Sequence, residues 1–262
     1  MTKSPPPVAS RPPKTRIRQS FERAAPTYDS AAAIQRGICD LLLASLPAGP
    51  APARLLDAGC GTGHALSLLS KRFPEAAPLA LDFSPAMLHR VAPPADRLAG
   101  DLEHLPLADG CVDLYWSSLA VQWCELPRVL AEARRVLRPN GQLALASLGP
   151  DTFHELRHAF AGVDSYRHTL AFHTPGEIAA MARAAGFAAI EVHQETRTAH
   201  YADFKTLLRA VKAIGANQLG DGRRTGLMSR STFAAAETAG ETLRTPAGLP
   251  LTYDVVTLIA RP

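Results

Sequence analysis

The stretch Leu55-Leu56-Asp57-Ala58-Gly59-Cys60-Gly61-Thr62-Gly63 constrains this chain more than any other. An apolar run over 54–58 reads as a strand. It passes through a loop with glycine at every second position into an amphipathic helix over about 64–73, with Ala65, Leu69 and Phe73 on one face. Glycine tolerates unusual φ and has no Cβ, so a ligand can lie directly on the main chain, and the helix that follows points its first amides at it. Two more acids stand where later strands end: Asp82 after Leu79-Ala80-Leu81, and Asp101 after Leu98-Ala99-Gly100. A glycine loop and two acids at successive strand ends describe a pocket for a nucleoside with a charged tail.

Spacing selects among nucleosides. A dinucleotide site needs a third glycine where this chain has His64, and no Gly-Lys-Ser/Thr follows to make a P-loop. What remains, acid-x-Gly-x-Gly-x-Gly, resembles the first motif of the class I S-adenosylmethionine (SAM) methyltransferases. The resemblance implies that SAM is the cofactor, with its methionine part over Asp57, Gly59, Cys60, Gly61 and Gly63. It implies that Asp82 takes both ribose hydroxyls and Asp101 the adenine amino group, with Phe83, Leu102 and Ser117 also among the cofactor-binding residues. The chemistry suits these roles, since ionised carboxylates only accept hydrogen bonds and both a cis-diol and an exocyclic amine donate them.

Along the chain, strand and helix alternate. Strands are expected at 54–58, 78–82, 97–100, 111–117, 142–148, 188–198 and 251–260. Helices are expected at 34–46, from Ser84-Pro85, and at 127–137, 152–161, 175–185, 202–214 and 231–243. Pro139-Asn140-Gly141 reads as a turn stopping a helix, and Thr174-Pro175 with Glu177 as a capping box. The fold class is α/β: a Rossmann-like, mostly parallel seven-stranded sheet with helices on both faces. Two extra helices between the last two strands, split by the glycine-rich stretch 220–226, suggest a helical cover over the pocket from about 200 to 245. Residues 1–15 read as a disordered, Pro-rich basic tail, and 16–262 as one domain.

The net charge of +4 is concentrated at the start. Residues 1–23 hold six Lys and Arg against Glu22 alone, which leaves the rest of the chain near neutral, without the basic body expected of a nucleic-acid enzyme. Neither a signal peptide nor a membrane span is read, and Cys39, Cys60, Cys111 and Cys124 lack C-x-x-C spacing. They read as buried thiols of a cytoplasmic protein, with no membrane or nucleic-acid partner. His154 and His158 share a helix face without a third ligand, so no metal site is expected.

Three flanking motifs narrow the resemblance: Phe21-Glu22-Arg23-Ala24-Ala25-Pro26-Thr27-Tyr28-Asp29 with Ile34-Gln35; Leu119-Ala120-Val121-Gln122-Trp123-Cys124; and Leu207-Leu208-Arg209-Ala210-Val211-Lys212-Ala213-Ile214-Gly215-Ala216. Together these resemble the malonyl-acyl carrier protein methyltransferases of biotin synthesis over nearly the whole chain beyond the tail. The family implies methyl transfer to the free carboxylate of a malonyl thioester, with malonyl-acyl carrier protein as partner. Tyr28, Gln35, Trp123, Arg209 and Lys212 are the residues expected at the substrate. The local excess of cations that includes Arg209, Lys212, Arg223 and Arg224 would form a docking face for an acidic carrier. A carboxylate is already ionised at neutral pH, so no catalytic base is expected. Two alternatives stay open at this point: a methyltransferase of small carboxylates or quinones, and a methyltransferase-like assembly factor of respiratory complex I that modifies a protein subunit. Within the family pattern, Asn140 and the segment 167–173 depart.

Overall fold

The computed structural model describes residues 11–213, 222, 226 and 228–262. Seven strands form one sheet: β1 (Arg54–Ala58), β2 (Ala77–Asp82), β3 (Asp96–Ala99), β4 (Val112–Ser118), β5 (Leu137–Leu148), β6 (Ala188–Tyr201) and β7 (Leu249–Arg261), in the order β3-β2-β1-β4-β5-β7-β6. The first five strands pair in parallel and β7 runs antiparallel to both its neighbours. Strand order reverses between β1 and β4, so the crevice for a ligand opens beyond the carboxyl ends of those two strands.

The central strands are apolar on both faces because helices cover both. Leu55 and Trp116 belong to one core, with Ile38 and Leu42 of α3 (Ala33–Ala44) and Leu66 and Leu69 of α4 (His64–Arg72). Leu56 and Tyr115 belong to the other, with Val129, Leu130, Ala133 and Val136 of α6 (Leu126–Val136). That spacing, three and four residues apart, places all four side chains on one helical face, and all four are fully buried. A short α5 (Pro85–Leu88) starts at Ser84, whose hydroxyl accepts from the Met87 amide.

Beyond β5, α7 (His154–Phe160) and α8 (Pro175–Ala184) follow, and α8 opens with the capping box read from Thr174 and Glu177. The helices α9 (Phe204–Ala213) and α10 (Arg230–Glu241) lie between β6 and β7 as expected. The stretch 220–226 that splits them falls mostly outside the described residues, as do Arg223 and Arg224.

Several sequence expectations change. Pro139-Asn140-Gly141 does not leave the sheet: β5 runs through it from Leu137, and the ladder with β4 slips register there. Gly141 makes this possible, since a Cβ there would lie about 3 Å from the carbonyl oxygens of Arg138 and Asp113. The tail is structured from residue 11. Pro12 is buried, and α1 (Lys14–Ala24) and α2 (Tyr28–Ala31) precede α3. Burial of Ile17 against the apolar cluster of Leu56 and Trp123 supplies the driving force that a disordered tail lacks. Cys111 is half-buried, and the other three thiols are buried.

Candidate functional site

The glycine loop is tied down at both ends. The Gly59 and Cys60 amides both donate to the Leu81 carbonyl, at 2.7 and 3.0 Å. A Cβ on Gly59 would sit 2.3 Å from that of Ala120, so this glycine is needed by the protein's own packing. Gly61 differs. With φ +53° and no atom within 4 Å of where its Cβ would stand, it faces open space, a place for a ligand to rest. Gly63, at φ +91°, is the residue from which α4 starts.

Asp82 is buried, and its carboxylate braces this loop. One oxygen accepts from the Gly61 amide at 3.0 Å and the other from the Ser84 amide at 2.8 Å. Burial raises its pKa while those amides oppose the rise. Asp57 lies deeper, and its Oδ2 has no hydrogen-bond partner. Burial first, and the charge of Asp82 second, push its pKa up to about 8. A buried acid with an unpaired oxygen, lining a cavity beside a bare glycine, fits a ligand that carries positive charge. The ammonium and sulfonium of SAM answer to that description.

The adjoining cavity is lined by Gly59, Gly61, Asp82, Phe83, Met87, Asp101, Leu102 and Trp123 among others. Its remaining wall comes from the N-terminal helices through Lys14, Ile17, Phe21 and Tyr28. The Lys14 ammonium contacts the Asp101 carboxylate and lies 3.0 Å from Glu103, while the other Asp101 oxygen accepts from the Glu103 amide at 3.0 Å. Lys14 was invisible to sequence reasoning, which had assigned it to the tail. Ser117 is placed elsewhere: fully buried, its hydroxyl donates to the Ala58 carbonyl at 2.7 Å, which braces β4 against β1. Side chains alternate along a strand, so it is Ser118 that lines the cavity, followed by Leu119.

A second chamber meets the first along Phe21, Tyr28, Leu119 and Trp123. Phe21 stands edge-on to Trp123, ring centres 5.8 Å apart. Gln35 lines this chamber, and its buried Oε1 has no partner. Burial raises the Tyr28 pKa, so its hydroxyl stays protonated. Phe153, Leu170, Phe172 and Tyr253 complete the apolar wall. Phe153 and Tyr253 carry no signal in the sequence beyond being aromatic, and Leu170 and Phe172 only that they lie in the divergent segment 167–173, because the four come from three separate segments joined only by the fold.

Arg209 and Lys212 are exposed on α9 and, among the described residues, nothing from 200–245 lines either chamber. The cover expected from about 200 to 245 lies partly outside the described residues; within them, Phe204 of α9 contacts Phe160 of α7 and Phe233 of α10, with ring centres 6.1 and 6.0 Å apart. His154 and His158 hydrogen-bond separately, to the Asp151 carbonyl and the Thr242 hydroxyl. Among the described residues no helix is long and apolar enough to cross a membrane.

Known proteins place this geometry. Residues 56–145 match the methyltransferase domain family model. The malonyl-acyl carrier protein O-methyltransferase of Dechloromonas aromatica (strain RCB) is 70% identical, over 98% of this chain and 97% of its own length. The like-named protein of Laribacter hongkongensis (strain HLHK9) is 45% identical, over 93% and 87%. The biotin biosynthesis bifunctional protein BioHC of Cellvibrio japonicus (strain Ueda107) is 38% identical over 94% of this chain and 50% of its own. Among solved structures, a SAM-dependent methyltransferase from Thermotoga maritima superposes with a TM-score of 0.57 at 18% identity, covering 94% of this chain and 99% of that one. At that identity the likeness concerns the fold.

Proposed function

The chain belongs to the malonyl-acyl carrier protein O-methyltransferase family, and on that premise we propose that it converts the free carboxylate of a malonyl thioester on acyl carrier protein to its methyl ester, an early step of biotin synthesis. The observation that carries the reading is the pairing of two chambers. One holds the bare Gly61 and the unpartnered Asp57 oxygen; the other is an apolar box whose polar contents include Tyr28 and Gln35.

SAM, when bound, supplies an electrophilic methyl group on a sulfonium. Asp57 supplies negative charge for its cationic tail, and Gly61 gives its main chain a flat seat. Asp82 keeps spare lone pairs for the ribose hydroxyls while its brace on Gly61 holds the seat in shape. Phe83, Met87 and Leu102 offer apolar surface to adenine beside Asp101. Cys60 and Gly63 act through loop shape.

At the acceptor, the carboxylate needs no base, since it is ionised far below neutral pH. The work left to the protein is alignment and removal of water. Tyr28, protonated, donates to the carboxylate, and the Gln35 amide can donate beside it. Both are neutral, so they orient the nucleophile without quenching it as a charged clamp would. Trp123 and Phe21 form the dry wall between donor and acceptor. Arg209 and Lys212 meet the carrier from outside the chambers.

The test uses methyl-labelled SAM with malonyl-carrier protein, malonyl-CoA and unacylated carrier. Label in a base-labile ester on the malonyl carrier is expected. Transfer to unacylated carrier, or only to a ring or amine acceptor, would overturn the reading.

A further inference from the structure

A groove of about 530 Å³ lies between α7 and the segment 161–172, outside the chambers already described. Leu170 and Phe172 line both this groove and the acceptor chamber, so the two spaces meet at those side chains. Cofactor cavity, acceptor chamber and groove thus adjoin in series, each sharing wall side chains with the next. The groove is amphipathic. Phe160 gives it an aromatic face on which His168 stacks, with ring centres 3.6 Å apart.

Two arginines line it, Arg157 held through its guanidinium and Arg167 through its main chain. The Arg157 guanidinium donates to the Thr152 and Pro150 carbonyls at 2.7 and 2.9 Å, which aims it without cancelling its charge. The Arg167 amide donates to the Gly222 carbonyl at 2.7 Å. The groove's acid, Asp164, is bonded to His168 at 2.9 Å. A passage with arginines on its lining and an apolar meeting point with the reaction chamber suits a long, mostly uncharged arm with one anionic end.

We propose that this groove seats the phosphopantetheine arm of the carrier-bound substrate. Arg157 and Arg167 take its phosphate, and Leu170 and Phe172 admit the thioester end to the chamber. The proposal rests on the function proposed above. It commits to the arm as carried by the protein partner: α9, which bears the exposed Arg209 and Lys212, belongs to the same helical layer as α7 and α10, so one basic face would serve arm and carrier together.

The experiment compares the full chain with its R157A/R167A variant on malonyl-carrier protein, malonyl-CoA and malonyl-pantetheine, which lacks the phosphate. The variant should raise KM for the malonyl carrier roughly tenfold, in line with loss of charge-assisted contacts, with kcat little changed. The ratio of kcat/KM between carrier and pantetheine substrates should fall by the same factor, a readout that general damage to α7 would not move. Leu170→Trp should slow all three thioesters while SAM titration stays as in wild type. Equal losses with and without the phosphate, or an unchanged KM for the carrier, would remove the groove from the substrate path. A loss confined to malonyl-CoA would assign the arginines to a nucleotide and overturn the proposal. Wild-type protein inactive on every thioester would remove function and groove together, whereas an active wild type with an unaltered variant removes the groove alone.

Discussion

Two helical additions to the sheet, α1–α2 before it and α9–α10 inside its last crossover, have similar sequences in outline and different positions relative to the site. Each contains an amphipathic helix: α1 buries Ile17 and Ser20, and α9 buries Phe204, Leu207 and Val211. Yet α1 and α2 contribute four side chains to the cofactor cavity, and among the described residues α9 and α10 contribute none. The stripe on a helix says that one face is covered; it does not say by what. Here α1 lies against α5, next to the ends of β2 and β3, whereas α9 rests on β6 and β7 and touches α2 without joining the cavity lining. One pair of helices lines the pocket; the other, among the described residues, supports it from outside and presents an outer face.

The contrast would break first at Phe204. Its ring is 2% exposed and packs within about 3 Å of where a Cβ on Gly240 would stand. Phe204→Ala should cost about 3–5 kcal/mol of unfolding free energy, read by chemical denaturation, because the surrounding aromatics cannot close the space. SAM affinity of the folded protein should be unchanged. If calorimetry instead shows weak SAM binding by a folded Phe204→Ala protein, α9 is coupled to the cofactor cavity and the division between the two helical pairs is wrong.

Asp82 tests the pocket side. Asp82→Ala removes both the charged acceptor for the ribose and the brace on the Gly61 amide, and should weaken SAM binding by about 1.5–3 kcal/mol in calorimetric titration. Gly61→Val belongs with it, since a branched side chain would occupy the open space above the loop and strain a φ of +53°. Unaltered affinity in either variant would detach the glycine loop from the cofactor.

A smaller effect, spread over pH, comes from Asp57. Its folded-state pKa is pushed up to about 8, above its unfolded value near 4, so between those values the folded protein holds a proton that the unfolded chain releases. Stability of the ligand-free protein should therefore fall as pH rises from about 4 to 8, by at most ~1.4 kcal/mol per unit, and Asp57→Asn should flatten the curve. Asp82, also shifted upward, adds in the same direction. A cationic ligand pairs with the ionised acid, so SAM should bind more tightly as pH rises through this window, and least pH-dependently in Asp57→Asn. A Tm that climbs with pH over the same range in the ligand-free protein would refute the assignment of Asp57 as an uncompensated buried acid.

The sheet was legible in the sequence because its signals are local: an apolar run, a glycine or an acid at its end, a capped helix after it. The glycine loop, Asp82, Asp101 and the capping box at Thr174 all belong to that class. Ser117 was misplaced by one residue, and on a strand one residue is the difference between facing the cavity and facing away from it. Lys14 was lost to a tail that composition alone described. The acceptor chamber was half legible. Tyr28, Gln35 and Trp123 sit in motifs and Leu170 and Phe172 in the divergent segment 167–173, whereas Phe153 and Tyr253 look like any other aromatic residue until the fold assembles the wall.

The smallest expected effect bears on the outer face of α9. Arg209 and Lys212 are exposed and line neither chamber, so any role they have must act on a partner at the surface. Reversing both to Glu should raise KM for malonyl-carrier protein several-fold at low salt, through slower electrostatic encounter and weaker docking. The difference should shrink as ionic strength approaches physiological values, where exposed charges are screened over about 8 Å. Unfolding free energy should move by less than about 0.5 kcal/mol, because neither side chain contributes to a core. SAM affinity should match wild type, as it should in Phe204→Ala, for the same reason of position. In the N-terminal helices the pattern inverts: Phe21→Ala, which opens the wall shared by both chambers, should impair use of SAM and of malonyl-pantetheine alike, with little dependence on salt. A salt-insensitive KM in the α9 reversal, equal to that of wild type, would leave α9 as scaffold only and move the search for the carrier's landing site to the N-terminal helices themselves.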